Sequence, residues 1–241
     1  MTAALFLAEF DDATPGQVIV VTGDEARHAG AVKRIEPGEE VLLANGRGLG
    51  ARGVAEAVTK TQLRVRVEEV LEEPARRIRA TAVQALAKGD RSELAVQMLT
   101  ELGVCRIVAW QADRSIVRWQ GERGDKALAK WQSTARESAK QSRRFSVPEV
   151  TAATSRQLPA ALAGHDLVLV LHEDAEDHLA DVSLPETGSV AVVIGPEGGI
   201  TDGELEALLG AGAKAVRISD QVLRTSTAGA VALAQLEVLA R

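Results

Sequence analysis

Residues 189–209, SVAVVIGPEGGITDGELEALL, decide how this chain is read. An unbroken apolar run from Val190 to Ile194 stops at Gly195-Pro196-Glu197-Gly198-Gly199, and a helical pattern begins after Thr201. A short apolar run bounded by turn residues is a buried strand, and a strand followed by a helix is the repeating unit of a parallel α/β sheet. Thr201 with Glu204 three residues later forms a capping-box pattern that fixes where the helix starts. Glycines without side chains allow close backbone approach, and a helix N-terminus after such a turn can cradle an anion. The stretch is not a Walker loop, because no Lys-Ser or Lys-Thr follows its glycines, and it lacks the Gly-x-Gly-x-x-Gly spacing of dinucleotide folds. Read alone, it serves equally as a structural turn or as a ligand site.

The same texture extends on both sides. Residues 218–232, ISDQVLRTSTAGAVA, run from a strand through a polar loop into a helix of small residues. The hydroxyls of Thr225, Ser226 and Thr227 suit a helix cap; Arg224 beside them needs a further reason. From Ile78 onward, strands are expected at residues 81–85, 106–109, 167–171, 190–194 and 215–218, with helices at 92–102, 125–142, 202–209 and 226–239. Before Glu72-Glu73-Pro74 the pattern changes to short strands, LFLAEF, QVIVV, EVLLA, 54–58 and 63–70, punctuated by Pro15-Gly16, Pro37-Gly38 and Asn45-Gly46. That is a small β-barrel pattern with one helical stretch at 24–35. Two domains are therefore expected, 1–74 and 75–241.

Composition narrows the function classes. Hydrophobic residues at 46% and charged residues at 26% describe a folded globular chain. Aromatics are only 2%, with no tyrosine, which argues against base stacking on aromatic platforms. Trp110, Trp119 and Trp131 are read as core or interface. The single Cys105 excludes an intramolecular disulfide and a cysteine-based metal site; in its apolar run it is expected to be buried, and no metal is expected. The opening MTAALFLAEFDD has no basic leader, and no segment reaches the roughly 18 apolar residues of a membrane span, so a cytosolic protein is expected. The net charge of -6 hides a division: residues 1–74 carry 8 basic and 13 acidic side chains, 75–145 carry 15 and 7, and 146–241 carry 5 and 14. The middle third is the candidate for binding phosphate.

IGPEGG followed by VLRTSTA resembles the signature pair of the bacterial 16S ribosomal RNA uridine N3-methyltransferases, the ribosomal RNA small subunit methyltransferase E family of the knotted SPOUT superfamily. The resemblance also covers KGDRSELAVQMLTELGV at 88–104, DRSIVRW at 113–119 and KWQSTARESAKQSRR at 130–144, with a weaker match at 28–34 and Asn45-Gly46-Arg47-Gly48. It implies an N-terminal PUA-like RNA-binding β-barrel, a C-terminal SPOUT α/β domain with a deep trefoil knot, S-adenosylmethionine as cofactor, 16S rRNA or the small ribosomal subunit as substrate, and a homodimer. Carried over by position, it assigns the cofactor to Leu171, His172, Ile194, Gly195, Gly198, Gly199, Ile218, Val222, Leu223, Thr225 and Ala228. The sequence departs from the family pattern at Ile218-Ser219-Asp220-Gln221, where Leu-Gly-Pro is usual, at Ser226, where Glu is usual, and at Lys140, where Glu is usual.

Methylating N3 of uridine requires loss of an N–H proton, so the site must accept that proton or stabilise the anion left behind. Arg224 is the candidate stabiliser, permanently charged and forked, against a structural salt bridge. Glu197 is the candidate proton acceptor, against a carboxylate that merely holds amides or a partner arginine. His172 and Glu173 are expected beside the cofactor. Clustered cations give phosphate affinity, and the expected RNA track comprises Arg27, Lys33, Arg34, Lys88, Arg91, Arg114, Arg118, Arg136, Lys140, Arg143 and Arg144. Arg136, Lys140 and Arg143, spaced four and three apart, are expected on one helix face. A knotted ribose 2'-O-methyltransferase and a non-catalytic RNA-binding assembly protein are the competing readings.

Overall fold

The computed structural model describes residues 3–241; Met1 and Thr2 of the opening run lie outside the described residues. The chain forms two compact units, one of residues up to Ala75 together with Glu137–Val147, the other of Arg76–Arg136 and Pro148–Arg241.

In the first unit, β1 (Ala4–Leu7), β2 (Val18–Thr22), β3 (Glu40–Ala44), β4 (Leu49–Val58) and β5 (Gln62–Glu72) form one sheet in the order β1-β3-β4-β5-β2. Alternation builds its core: Leu63, Val65 and Val67 of β5 point inward against Phe6, Val21 and Leu43, while Arg64 and Arg66 face solvent. β1 and β2 are edge strands, so in hydrogen-bonding terms the expected barrel is open between them. The helix expected at 24–35 is one α-helical turn, α1 (Gly23–Arg27), that widens into a π-helical turn, His28–Lys33, and ends at left-handed Arg34. Gly30 and β-branched Val32 are weak α-helix formers, which favours that irregularity.

The segment Glu137–Val147 joins this unit, and it changes the expected RNA track. Lys140 is buried, with Nζ 3.0 Å from Glu25 Oε1 and 3.1 Å from Glu137 Oε1. Arg144 is buried too, donating to Ser146 Oγ at 3.0 Å, with its Nε 3.6 Å from Glu73 Oε1. Neither offers an exposed cation to phosphate. Arg143 is exposed but lies beyond the helix end at Gln141 with a φ of 57°, so helical spacing does not align it with Arg136. The expected three-residue stripe is absent.

The second unit is a six-stranded, wholly parallel sheet in the order β11-β9-β10-β6-β7-β8. Its strands are β6 (Ile78–Ala85), β7 (Arg106–Gln111), β8 (Glu149–Thr154), β9 (Leu167–Leu171), β10 (Gly188–Ile194) and β11 (Lys214–Val216). The helices are α2 (Arg91–Glu101), α3 (Gly121–Gln141, whose residues from Glu137 on belong to the first unit), α4 (Leu158–Leu162), α5 (Asp202–Gly210) and α6 (Thr225–Leu239). β10 is buried on both faces: Val190, Val192 and Ile194 meet α2 and α6 residues such as Leu99 and Leu233, while Ala191 and Val193 meet Leu158 and Leu208. At Gly229 of α6 an added Cβ would lie 3.0 Å from Leu99 and 3.4 Å from Ile194, so the small residue sets how closely the helix seats. β8 and α4 were not expected from the sequence. EVTAAT is a polar-alternating edge strand and LPAAL a single short helical stretch, both too brief to show a clear period.

Trp110 and Trp131 are core, and half-buried Trp119 meets Trp131 edge to face at 5.2 Å. Cys105 is half-exposed rather than buried, at the turn before β7, where its N–H donates to Ala80 O and its carbonyl accepts from the Glu149 amide. Among the described residues no helix is long and apolar enough to cross a membrane.

Candidate active site

Three neighbouring parallel strands end together, β9 at Leu171, β10 at Ile194 and β11 at Val216. The loops leaving them enclose a cavity of about 680 Å³. Crevices beyond the carboxyl ends of parallel strands are where α/β sheets bind ligands. The eleven residues assigned to the cofactor by sequence all line this cavity, together with Arg224 and Glu197. A second cleft of about 560 Å³ lies by Leu162, His165, Asp166 and Lys214, at the opening ends of β9 and β11. Its carboxylate is already engaged: the Ser189 amide and hydroxyl hold Asp166 below the usual carboxylate range.

The glycine loop is held from beneath. Thr201 Oγ1 accepts the Glu204 amide at 3.3 Å, and Glu204 Oε2 accepts the Thr201 amide at 2.9 Å, completing the capping box. Glu204 does more than cap α5. Its Oε1 accepts the Asp113 amide at 2.8 Å and the Ser155 hydroxyl, and Ser155 Oγ accepts from Trp110 Nε1 at 3.1 Å. Burial by itself pushes the Glu204 carboxyl up; the donors from Ser155, Thr201 and Asp113 outweigh it and leave it below its ordinary value. The buried carboxylate thus ties the glycine loop to the loop after β7. There Arg118 closes its own turn on the carbonyls of Ala112 and Asp113, and Arg114 donates to Gly198 O at 3.2 Å. Gly199 has a φ of 77°, which a residue with a Cβ rarely adopts.

The loop from Ile218 to Arg224 forms the opposite wall. Arg224 is the N-cap residue of α6 and offers its carbonyl to the amides of Thr227 and Ala228, leaving its side chain exposed at the cavity. Its guanidinium has no hydrogen-bond or ion-pair partner among the described residues. The following hydroxyls were expected to cap the helix; Thr225 instead donates to Gly195 O at 3.0 Å, joining the two walls, and Gln84 Nε2 donates to Thr225 O. Ser219, at the departure from the family pattern, accepts the Gln221 amide and closes a local turn.

Two family models match the chain, an RNA methyltransferase domain over residues 74–237 and an RNA methyltransferase PUA domain over residues 21–68. The ribosomal RNA small subunit methyltransferase E of Mycobacterium bovis is 45% identical over 99% of this chain and 93% of that protein. The chain belongs to the ribosomal RNA small subunit methyltransferase E family. Among solved structures, a methyltransferase from Legionella pneumophila with bound cofactor SAM superposes with a TM-score of 0.88 at 30% identity, covering 99% of this chain and 98% of that one. The family member from Neisseria gonorrhoeae, bound to S-adenosyl methionine, gives 0.89 at 27% identity over 99% and 98%.

Within this family member the expected RNA cations separate. Lys88, Arg91, Arg114, Arg118 and Arg136 are exposed in the sheet unit, and Arg27, Lys33, Arg34 and Arg143 in the PUA unit. Several are already engaged: Arg27 pairs with Asp24, and Arg91 lies 3.8 Å from Glu197 Oε1. Glu197 therefore has a partner arginine, and its carboxylate still lines the cavity. His172 Nδ1 accepts the Asp174 amide at 3.3 Å, a loop-holding role at the cavity edge. Arg217 and Asp202 also line the cavity and were not expected. No motif marks Arg217; it lay inside a strand read as 215–218, whereas β11 ends one residue before it.

Proposed function

We propose that this chain transfers a methyl group from S-adenosylmethionine to N3 of a uridine in the 16S rRNA of the small ribosomal subunit. The observation that carries the reading is the gathering of all eleven family-assigned cofactor residues around one cavity with Arg224 at its edge. Relatives named for small-subunit rRNA methylation and related structures holding SAM support it. The residues suit that cofactor. The cavity falls within the roughly 300–1,000 Å³ common for small-molecule sites. Leu171, Ile194, Ile218, Leu223 and Ala228 offer apolar surface for an adenine ring, the glycine loop offers backbone groups to a ribose or amino-acid end, and Glu173, Asp174, Asp202 and Asp220 supply negative charge for a cationic ligand.

When bound, S-adenosylmethionine supplies an electrophilic methyl on a positive sulfur. This chain does the rest. Arg224 holds the uracil oxygen on which negative charge grows as N3 loses its proton. Glu197 at the cavity edge accepts that proton, with Arg91 orienting its carboxylate. Thr225 keeps the two walls at fixed separation and Glu204 anchors the glycine loop to the loop after β7, so the reacting atoms meet in a prepared geometry. The PUA unit contributes Arg27, Lys33, Arg34 and Arg143 to phosphate binding. The trefoil knot, the homodimer and the cytosolic setting of the family complete the reading.

The test is methyl transfer from radiolabelled S-adenosylmethionine to small ribosomal subunits from a strain lacking its own uridine N3 activity, with nucleoside mass analysis. 3-Methyluridine is the expected product. A labelled 2'-O-methyl nucleoside would replace this reading with ribose methylation, and no transfer by cofactor-binding protein would point to a binding role.

A further inference from the structure

No sequence motif accounts for Arg217, yet it lines the cavity. It directly follows β11, and the loop leaving β9 fixes its backbone on both sides. Its N–H donates to Asp177 O at 2.9 Å, and its carbonyl accepts the Leu179 amide at 2.9 Å. His178 thereby pairs with Arg217 as a parallel bridge that carries the strand direction one residue past β11. From this fixed root the guanidinium lies half out of water. The side chain is 42% exposed, yet its Nε is buried with no hydrogen-bond partner among the described residues.

A charged N–H shut away from water without an acceptor is costly, and native structures rarely leave one without a reason. Arg106 and Arg144 also carry a buried Nε without a hydrogen bond, but there Nε is itself the atom that stands 3.6 Å from a carboxylate, of Glu149 and Glu73 respectively. At Arg217 the ion pair runs through Nη1 instead, 3.5 Å from Asp220 Oδ1. Asp220 lines the same cavity, and its side chain is 86% exposed. Nε and a terminal nitrogen form the edge of a guanidinium that takes a carboxylate through two parallel bonds. The cavity wall therefore presents an unused charged donor and, beside it, an accessible acid.

We propose that Arg217 and Asp220 clamp the amino-acid end of S-adenosylmethionine, Arg217 taking its carboxylate through Nε and Asp220 taking its ammonium group. The inference rests on the methylation reading and names the residues that recognise the zwitterionic end of the methyl donor. That end carries a carboxylate and an ammonium on one carbon, so a cation and an anion held side by side on one wall match it group for group. An RNA phosphate carries only negative charge and would be set against Asp220, which favours the cofactor as the occupant. Position agrees, because Ile218, the residue next to Arg217, is one of those assigned to the cofactor and lines the same wall.

The test measures Kd by calorimetry on wild type, Arg217→Met, Arg217→Lys and Asp220→Asn. The ligands are S-adenosylmethionine, its decarboxylated form, which keeps the ammonium, and 5'-methylthioadenosine, which lacks the amino-acid end. Arg217→Met is expected to weaken S-adenosylmethionine about 30-fold and to leave the other two ligands within about twofold. Arg217→Lys should recover part of that loss, and it carries the same comparison if the Met variant does not fold. Asp220→Asn, at an exposed position, should weaken the two ammonium-bearing ligands about threefold and spare 5'-methylthioadenosine. Equal weakening of all three ligands at position 217 would overturn the proposal in favour of a structural role, and unchanged S-adenosylmethionine binding would overturn it outright. A loss confined to the affinity for a fluorescein-labelled uridine-rich RNA would also overturn it and assign Arg217 to a phosphate. If wild type itself binds no S-adenosylmethionine, the methylation reading falls and the clamp with it; a wild type that binds and transfers while Arg217→Met binds equally well refutes the clamp alone.

Discussion

Replacing Glu204 by alanine removes a buried carboxylate that accepts from the Thr201 amide and hydroxyl, the Asp113 amide and the Ser155 hydroxyl. Loss of the cap interaction costs about 1 kcal/mol. Donors left without an acceptor cost about 1–2 kcal/mol each where water cannot reach them, and the Asp113 amide and Ser155 hydroxyl are the two most affected. The expected loss is about 3–5 kcal/mol, or about 10 °C in the melting temperature of a unit this size. Glu204→Gln tests the charge. An amide side chain turns an NH2 toward donors on one side, so at pH 7 it is also destabilised, by less. The folded carboxyl lies below its ordinary value, so its contribution is complete above the unfolded carboxylate value of about 4.3 and disappears as pH falls through the lower folded value. Thermal unfolding followed by circular dichroism from pH 7 to pH 3 should therefore show wild type converging on the Gln variant in acid. A constant gap across that range, or an Ala variant within 2 °C of wild type at pH 7 (roughly half a kcal/mol), would refute the account.

Arg224→Lys keeps the charge but loses the fork; methyl transfer is expected to fall about 100-fold with cofactor Kd little changed, measured by single-turnover transfer and calorimetry. Lys140→Ala takes the buried ammonium away from Glu25 and should lower unfolding stability by about 3 kcal/mol in urea, whereas Arg143→Ala, exposed, should stay within about 0.5 kcal/mol. Gly199→Val forces a side chain into left-handed backbone and should weaken S-adenosylmethionine binding at least about tenfold, read by equilibrium dialysis.

The sheet was legible because its central strands are continuous apolar runs broken by glycine. Val190 to Ile194 needs no tertiary context to be a buried strand, and Thr201 with Glu204 announces the helix start. The cavity followed from motif order, since the strand ends that carry the motifs are neighbours in the sheet. What sequence spacing could not supply was the fate of long polar side chains. Lys140 and Arg144 read as surface cations because charge is local in a sequence, while their acids, Glu25 and Glu73, arrive from far along the chain. Ser155 and Asp113, which complete the Glu204 network, were invisible for the same reason.

The strand order carries a consequence for how the protein is born. β6 leaves the ribosome early and can pair at once only with β7 on one side; its other neighbour, β10, follows about a hundred residues later, and β9 and β11 flank nothing until β10 is in place. Non-local parallel pairing of this kind is slow and leaves a strand edge open meanwhile. The cavity uses residues from Leu171 to Ala228 on three late strands, with Arg114 the sole early contributor. A nascent chain therefore has no partial cofactor site to occupy, and S-adenosylmethionine can stabilise only the finished sheet.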